Sequence, residues 1–213
     1  MRLREPYVLL LLLAVVYVVS GWSPSDRVTW WMEVAPVFVV LPLILWVEKK
    51  VGFTPLTIRL LAFEAVLVAV GAHYMYSHVP LGFWVADLFG FERNHYDRFG
   101  HFMQGVVPAL AMRELLLRTS PLRRGAWLFA IVSSICLALS AIYEFVEWAA
   151  AVIFADGATE FLGTQGDPWD AQWDMFLALI GSILAQLLLR GVHDRQMLEQ
   201  DHLKDHHQGR HQR

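Results

Sequence analysis

Six stretches of mostly apolar residues, each long enough to cross a bilayer, constrain the fold of this 213-residue chain more than any other feature. A membrane-spanning helix needs about 20 such residues. The stretches lie near residues 7–22, 29–47, 58–77, 99–117, 126–153 and 172–190. With 56% hydrophobic and 17% charged residues, the chain is too apolar for an ordinary soluble domain. The sequence therefore predicts an all-α, polytopic membrane protein, a bundle of about six transmembrane helices.

The two ends of the chain differ in character. Arg2 and Arg4 precede the first apolar stretch, as basic residues do in a secretory signal, but no convincing small-residue cleavage site follows. We therefore expect a retained signal anchor. Residues 1–190 are assigned to one six-helix transmembrane domain. Residues 191–213, which are charged and rich in histidine, are assigned to a solvated cytoplasmic tail.

The basic residues are distributed unevenly between the two sides of the predicted bundle. Thirteen of the seventeen lie before the first span, after the second, after the fourth or after the sixth. Because short cytoplasmic loops retain Lys and Arg, both termini are predicted to lie in the cytoplasm. The formal net charge of -3 offers no basic surface for a phosphate backbone. The bilayer is the expected partner, and nucleic acid is not.

Acids and histidines gather at the opposite, extracytoplasmic ends of the spans. The stretch "NHYDRFGHFMQG" opens the fourth span, for example, and "WDAQWDM" opens the sixth. Ionisable groups at the mouths of membrane helices are costly, so they are candidates for a functional site. The candidates are His73, His78, His95, Asp97, His101, Gln104, Glu144, Glu147, Asp167, Asp170 and Asp174.

Six of these residues form pairs three or four positions apart, so that both members share a helical face. The pairs are Asp97 with His101, Glu144 with Glu147, and Asp170 with Asp174. Carboxylates and imidazoles from several helices build metal sites in bundles, and a set without thiolates suits Zn, Mn, Mg or Ca. We predict that all six are catalytic. A divalent ion is predicted to be held by Asp97, His101, Glu144, Asp170 and Asp174.

The remaining candidates are predicted to contact substrate. The whole set could also act without a metal. The substrate-binding candidates are His73, His78, His95, Gln104 and Asp167. Without a metal, the same carboxylates and imidazoles can act as general acids and bases. In either case the polar groups should turn inward and meet, so His101 is expected to contact a carboxylate from the fifth or sixth span.

A purely structural interpretation of the same residues stays open. An acid in the first helical turn favours the macrodipole and caps free amides, which explains Asp97, Asp170 and Asp174 without chemistry. Hydrogen bonds between helices would satisfy groups such as His73, Glu144 and Glu147. Against this interpretation stands the cost of burying several independent acids on one side of the membrane.

Three blocks of the sequence carry a resemblance to a known family. They are "NHYDRFGHFMQGVVPALAMRELLLR", "YEFVEWAAAVIF" and "FLGTQGDPWDAQWDMFLALIGSI". In this order they resemble the signature blocks of the YjdF-like bacterial inner-membrane proteins, over roughly residues 55–190. The resemblance implies a multi-pass protein of the bacterial inner membrane but supplies no substrate. The segment "WDAQWDMFLALIG" is more faintly similar to a block of VanZ-like membrane proteins, which are linked to glycopeptide resistance.

Three functions are compatible with these patterns. The leading hypothesis is a metal-dependent enzyme or binding site, open on one side, for a lipid or lipid-linked envelope molecule. A small proton- or ion-coupled transporter needs a polar path that continues to the cytoplasmic side, where Glu64, Arg113 and Glu114 are the candidates. A non-catalytic membrane scaffold needs neither a pocket nor a path.

Overall fold

The computed structural model describes residues 4–154 and 164–211 of the chain. Within these ranges the chain forms α-helices and one short 3-10 turn at Tyr76–His78, with no strand. The helices are α1 (Arg4–Trp22), α2 (Arg27–Val51), α3 (Pro55–Tyr74), α4 (Pro80–Phe89), α5 (Tyr96–Thr119), α6 (Ala126–Phe154), α7 (Asp170–Leu188) and α8 (Arg190–His211). The prediction of an all-α bundle is confirmed, and the six predicted spans correspond to α1, α2, α3, α5, α6 and α7.

Five of these helices are long and apolar enough to cross a bilayer: α1, α2, α3, α6 and α7. The fourth predicted span, α5, has 24 residues, which is about 36 Å at about 1.5 Å per residue. It is more polar than the others because it contains charged residues at both ends. Three of them, Asp97, Arg113 and Glu114, are buried against neighbouring helices. The charges of α5 are therefore shielded from lipid inside the bundle.

Helix α5 is the centre of the bundle and packs against α3, α6 and α7, while α1 and α2 pack against α3. The contact between α5 and α7 is the most extensive and is made through glycines. A Cβ at Gly105 would overlap the carbonyl oxygen of Ala178, and a Cβ at Gly181 would overlap that of Phe102. Only residues without a side chain allow backbones to approach this closely.

Helix α4 lies in a segment for which the sequence indicated no helix. Its ten residues begin at Pro80, whose fixed φ suits the first helical turn. They end before Gly90, which adopts the left-handed conformation with a φ of 69°. Trp84 and Leu88 are exposed on its surface. Local capping chemistry thus forms a helix too short to span a membrane.

The first turns of α8 pack against the bundle, although the sequence predicted a solvated segment after residue 190. His193 is fully buried, Met197 is nearly so, and the Gln196 side chain accepts a hydrogen bond of 2.9 Å from the backbone N–H of Leu56. The Gln200 side chain donates to the Phe53 carbonyl at 3.0 Å. The first turns of α8 therefore dock onto the loop that joins α2 to α3.

Glu114 lies at the centre of this docked end. Its carboxylate, which is fully buried, accepts hydrogen bonds from the Thr54 backbone N–H at 3.0 Å and from the Thr57 hydroxyl at 3.0 Å. Arg118 lies 3.1 Å from it, and so does Nε2 of His193. These partners satisfy the carboxylate, which makes Glu114 a structural anchor rather than an open step in a polar path.

Candidate functional site

The first turns of α5 and α7 bring three predicted metal ligands together. Ligand atoms of Asp97, His101 and Asp174 all lie within 4.8 Å of one another, and all three residues are buried. His101 lies one turn before Gly105, and Asp174 lies two turns before Gly181. The glycine contact between α5 and α7 therefore sets the distance between the two faces that carry these side chains.

His101 has a defined orientation in this cluster. Its Nδ1 lies 2.9 Å from Oε1 of Gln104, which accepts the hydrogen bond. The other nitrogen, Nε2, lies 3.7 Å from Oδ1 of Asp97 and 3.7 Å from Oε1 of Glu144. The predicted contact between His101 and a carboxylate from the fifth or sixth span is confirmed, because Glu144 belongs to α6. A neutral ring that donates from Nδ1 presents the lone pair of Nε2 to these carboxylates.

Several carboxylate oxygens in and beside the cluster are buried without a hydrogen-bond partner in the described part of the chain. They are Oδ1 of Asp174, Oε1 of Glu144 and Oδ2 of Asp170. A buried acceptor without a donor costs about 1–3 kcal/mol, and more when it is charged. The imidazole of His101 and the unsatisfied oxygen of Asp174 belong to one close group, where a bound cation would be favourable.

Asp170 and Asp167 belong to a neighbouring network of ion pairs. Asp170 lies 2.5 Å from Arg93 and 3.7 Å from Arg98, and Asp167 lies 2.6 Å from Arg98. The pKa of Asp167 is lowered, mainly by the hydrogen bond from the Trp169 backbone N–H and then by Arg98. Asp170 was predicted from the sequence to be a metal ligand. It lies one turn before Asp174, and its carboxylate is paired with Arg93 and Arg98. Neither Asp170 nor Glu144 is within the close group of three.

A cavity of about 70 Å³ adjoins the cluster and extends between α2, α3, α5 and α6. Its polar lining consists of Glu33, Glu64, Tyr76, Asp97, His101, Gln104, Tyr143 and Glu147. Tyr143 donates a hydrogen bond of 3.0 Å to Glu33. The structure thus connects Glu147, a predicted catalytic residue, with the cluster through this shared cavity.

The predicted substrate-binding histidines have contacts elsewhere. Nδ1 of His73 lies 2.8 Å from the Ser20 carbonyl, which ties α3 to α1. His78 is exposed, and its Nδ1 lies 2.9 Å from the Ser77 hydroxyl. His95 precedes α5 and stacks edge-on against Phe91, and its pKa is lowered by burial and then by Arg98 and Arg93.

Asp97 and Asp170 lie in the first turns of α5 and α7, as the macrodipole interpretation expects, but neither acid is an N-cap residue. The N-cap residues of α5 and α7 are His95 and Trp169, and neither makes a side-chain cap hydrogen bond. Asp97 and Asp174 lie further along and point to the cluster instead. Both carboxylates are buried, which is costly unless a partner compensates their charge.

Glu33 lines the cavity and Arg93 and Arg98 border the cluster, although none of the three was among the residues predicted from the sequence. Glu33 is a single acid inside the apolar run "TWWMEVAPVFVV", and it is only 4% exposed in the bundle. An isolated acid in a span was the signal that could have identified it. The two arginines are among the four basic residues that lie outside the thirteen counted for the charge bias. Their ion pairs are with Asp167 and Asp170, at the end of the loop before α7 and the start of that helix. Helical spacing on α5 gives no information about these partners.

The length and hydrophobicity of the helices, with a buried acid and histidine cluster among them, define a polytopic membrane protein. Residues 5–195 match the family described as "Predicted membrane protein (DUF2238)", and the chain belongs to that family. It is 43% identical over 187 residues to "Inner membrane protein YjdF" of Escherichia coli (strain K12), which covers 88% of this chain and 90% of that protein. The resemblance inferred from the three sequence blocks is confirmed. The inner-membrane location of that relative supports the same location for this chain.

No solved structure matches the chain.

Proposed function

We propose that the protein is a membrane-embedded, metal-dependent enzyme that acts on a lipid or lipid-linked envelope molecule. The observation that carries this proposal is the convergence of Asp97, His101 and Asp174, whose ligand atoms lie within 4.8 Å of one another. Oδ1 of Asp174 is buried there without a hydrogen-bond donor among the described residues. A bound divalent cation supplies the missing partner.

The donor set favours a borderline ion such as Zn or Mn, because one imidazole nitrogen and carboxylate oxygens suit these metals. Asp97, His101 and Asp174 are the ligands, and Gln104 holds His101 in the tautomer that leaves Nε2 free. Glu144, whose Oε1 lies 3.7 Å from Nε2 of His101, is proposed as a fourth ligand or as the general base. A bound ion of this kind polarises substrate oxygens and lowers the pKa of a coordinated water.

The remaining polar residues surround this centre. Glu147 shares the adjoining cavity and is proposed to move protons. Asp170 and Asp167 orient Arg93 and Arg98, whose guanidinium groups suit an anionic part of a substrate. His73, His78 and His95 are proposed as outer contacts near the loops that follow α3 and precede α5.

The substrate class follows from the place of the cluster. With both termini in the cytoplasm, the first turns of α5 and α7 lie at the extracytoplasmic side of the inner membrane. The three ligands lie within the first two turns of α5 and α7. A molecule anchored in the outer leaflet reaches this depth, because its headgroup sits beside the helix ends.

The metal site is tested with protein purified in detergent, stripped with a chelator and reloaded with Zn or Mn. Elemental analysis should find about one ion per chain in the natural protein. Asp174→Asn and His101→Gln should each lose the ion. Asp87→Asn, which makes the same chemical change at an exposed position of α4, should keep it. Equal metal content in Asp174→Asn and Asp87→Asn would overturn the site.

The enzyme activity is tested in proteoliposomes made from an envelope lipid extract. The metal-loaded protein should change the mass spectrum of the lipid fraction, and the Asp174→Asn protein should not. If the lipid fraction is unchanged although the metal site is fully loaded, the protein binds metal but is not an enzyme that acts on these lipids.

One observation favours a second candidate, a small proton- or ion-coupled transporter. Glu64 lines the cavity beside the cluster and lies ten residues before the end of α3, about 15 Å into the membrane. A polar cavity that reaches mid-membrane is a feature of ion pathways. Metal uptake into proteoliposomes that contain a chelating dye, abolished by Glu64→Gln, would select this function over the enzyme.

A further inference from the structure

A basic pocket lies far from the acid and histidine cluster, where α2 and α5 end and α6 begins. Its volume is about 730 Å³, within the roughly 300–1,000 Å³ range of small-molecule sites. Of the described residues that line it, four are basic and one is acidic. The basic ones are Lys50, Arg118, Arg123 and Arg124, and the acidic one is Asp201.

The four basic side chains are not equally balanced by acids. Arg118 lies 2.9 Å from Asp201 and 3.1 Å from Glu114. Arg124 lies 2.9 Å from Asp194. Lys50 and Arg123 are exposed in the same pocket, and they give it a surplus of positive charge. The pocket is therefore suited to an anion that carries more than one hydrogen-bond acceptor.

Tryptophans place this pocket at the level of lipid headgroups. Nζ of Lys50 lies 3.8 Å from the centre of the Trp46 ring, one turn earlier on α2. Trp46 is 54% exposed, and Trp127, in the first turn of α6, is 79% exposed. Exposed tryptophans at the ends of membrane helices sit at the boundary between hydrocarbon and water.

We propose that this pocket binds the headgroup of an anionic phospholipid, with Lys50 and Arg123 in contact with the phosphate. A basic pocket between membrane helices, at headgroup depth, is the known setting for acidic lipids. The exposed faces of Trp46 and Trp127 provide apolar surface for the glycerol backbone and the upper acyl chains. A soluble anion would use the charge but not this apolar surface, so the observations favour a lipid. The proposal is independent of the metal cluster.

Native mass spectrometry and thermal unfolding of the purified protein test the proposal. With added phosphatidylglycerol, the natural protein should retain bound lipid and unfold at a temperature a few degrees higher, because a ligand that binds the folded state stabilises it. Phosphatidylcholine at the same concentration should have a smaller effect. In the double variant Lys50→Gln/Arg123→Gln, retention of phosphatidylglycerol should fall to the level of phosphatidylcholine.

The control is the double variant Arg27→Gln/Arg59→Gln, which removes the same charge from exposed positions outside the pocket. It should bind phosphatidylglycerol as the natural protein does. Equal retention of the two lipids by the natural protein would overturn the proposal, as would normal retention in the Lys50→Gln/Arg123→Gln protein. If inorganic phosphate stabilises the protein as much as phosphatidylglycerol does, the ligand of the pocket is a soluble anion and the lipid proposal is wrong.

Discussion

His101 organises the cluster at the scale of single residues. Its Nδ1 is bound to Gln104 at 2.9 Å, and its Nε2 faces Asp97 and Glu144 at 3.7 Å. A hydrogen bond to the second ring nitrogen orients a ligating histidine and fixes its tautomer. Gln104 therefore supports binding of the proposed ion through His101, although it does not contact the ion.

Replacing Gln104 should weaken metal binding without unfolding the protein. In Gln104→Leu the ring of His101 loses its hydrogen-bond partner, so we expect metal affinity to fall by about 10–100-fold. Gln172→Leu, at an exposed position of α7, is the control and should leave affinity unchanged. Competition with a metal-binding dye measures both. An unchanged affinity in Gln104→Leu would show that the ring needs no such support.

Asp174→Asn should separate a binding role from a structural one. The carboxylate is 3% exposed, and its Oδ1 has no described hydrogen-bond partner. Removing the charge should therefore leave the free energy of unfolding of the metal-free protein unchanged or raise it, with an increase of at most about 1 kcal/mol. The rise in melting temperature that metal produces in the natural protein should disappear. A lower melting temperature of the variant without metal would instead mark Asp174 as a structural residue.

At the scale of helices, the contact between α5 and α7 positions the cluster. Gly105 and Gly181 allow the backbones of α5 and α7 to touch. The register that results brings Asp97, His101 and Asp174 together. At the other end, α8 closes the bundle through His193, Gln196 and Gln200. Each contact depends on a small number of side chains and can be tested separately.

Gly105→Ala should separate α5 from α7. Its Cβ would overlap the carbonyl oxygen of Ala178, which is backbone and cannot rotate away. We expect a loss of about 1–3 kcal/mol of stability, together with weaker metal binding. Gly191→Ala is the matched control, because a Cβ there meets nothing within 4 Å. Thermal unfolding and metal titration of the two proteins should differ, and equal behaviour would contradict the close contact.

Removing α8 should destabilise the bundle. A chain that stops after Leu189 loses the His193 bond to Glu114 and the Asp194 partner of Arg113, which lies 2.8 Å away. Leaving buried charges without partners costs about 3–5 kcal/mol. A chain that stops after Leu203 keeps these contacts and should unfold like the full-length protein. Similar melting temperatures for the two truncated proteins would show that α8 does not support the bundle.

At the scale of the whole molecule, the charge bias gives the bundle an orientation in the membrane. The loop that precedes α5 should face away from the cytoplasm, and the loop between α5 and α6 should face the cytoplasm. The proposed metal site and the proposed lipid pocket then lie on opposite sides of the membrane. The orientation decides which of the two leaflets each site meets.

Single cysteines test this orientation in spheroplasts. A cysteine at Glu92 should react with an impermeant thiol reagent, and one at Arg123 should react only after the membrane is opened. Both positions are exposed, and the native Cys136 is fully buried, so background labelling should be low. Labelling of Arg123→Cys from outside would reverse the orientation and move the metal site to the cytoplasmic side.

The class of the protein and five of the six predicted spans follow from properties of single segments. Whether a segment such as residues 126–153 can cross a bilayer depends on its own length and hydrophobicity, which are local properties. The pair formed by Asp97 and His101 is local in the same sense, because four residues make one helical turn. For these features no information about neighbouring helices is required.

Which residues meet across helices depends on how the helices pack. Asp174 rather than Asp170 joins Asp97 and His101, because the glycine contact sets the register of α7 on α5 and Arg93 holds Asp170. Glu33 enters the same cavity from α2, at a sequence distance that no helical period can reveal. The docking of α8 likewise depends on a buried carboxylate, Glu114, that lies 79 residues before its partner His193. Packing between helices combines residues that are distant in sequence, and helical periodicity describes only one helix at a time.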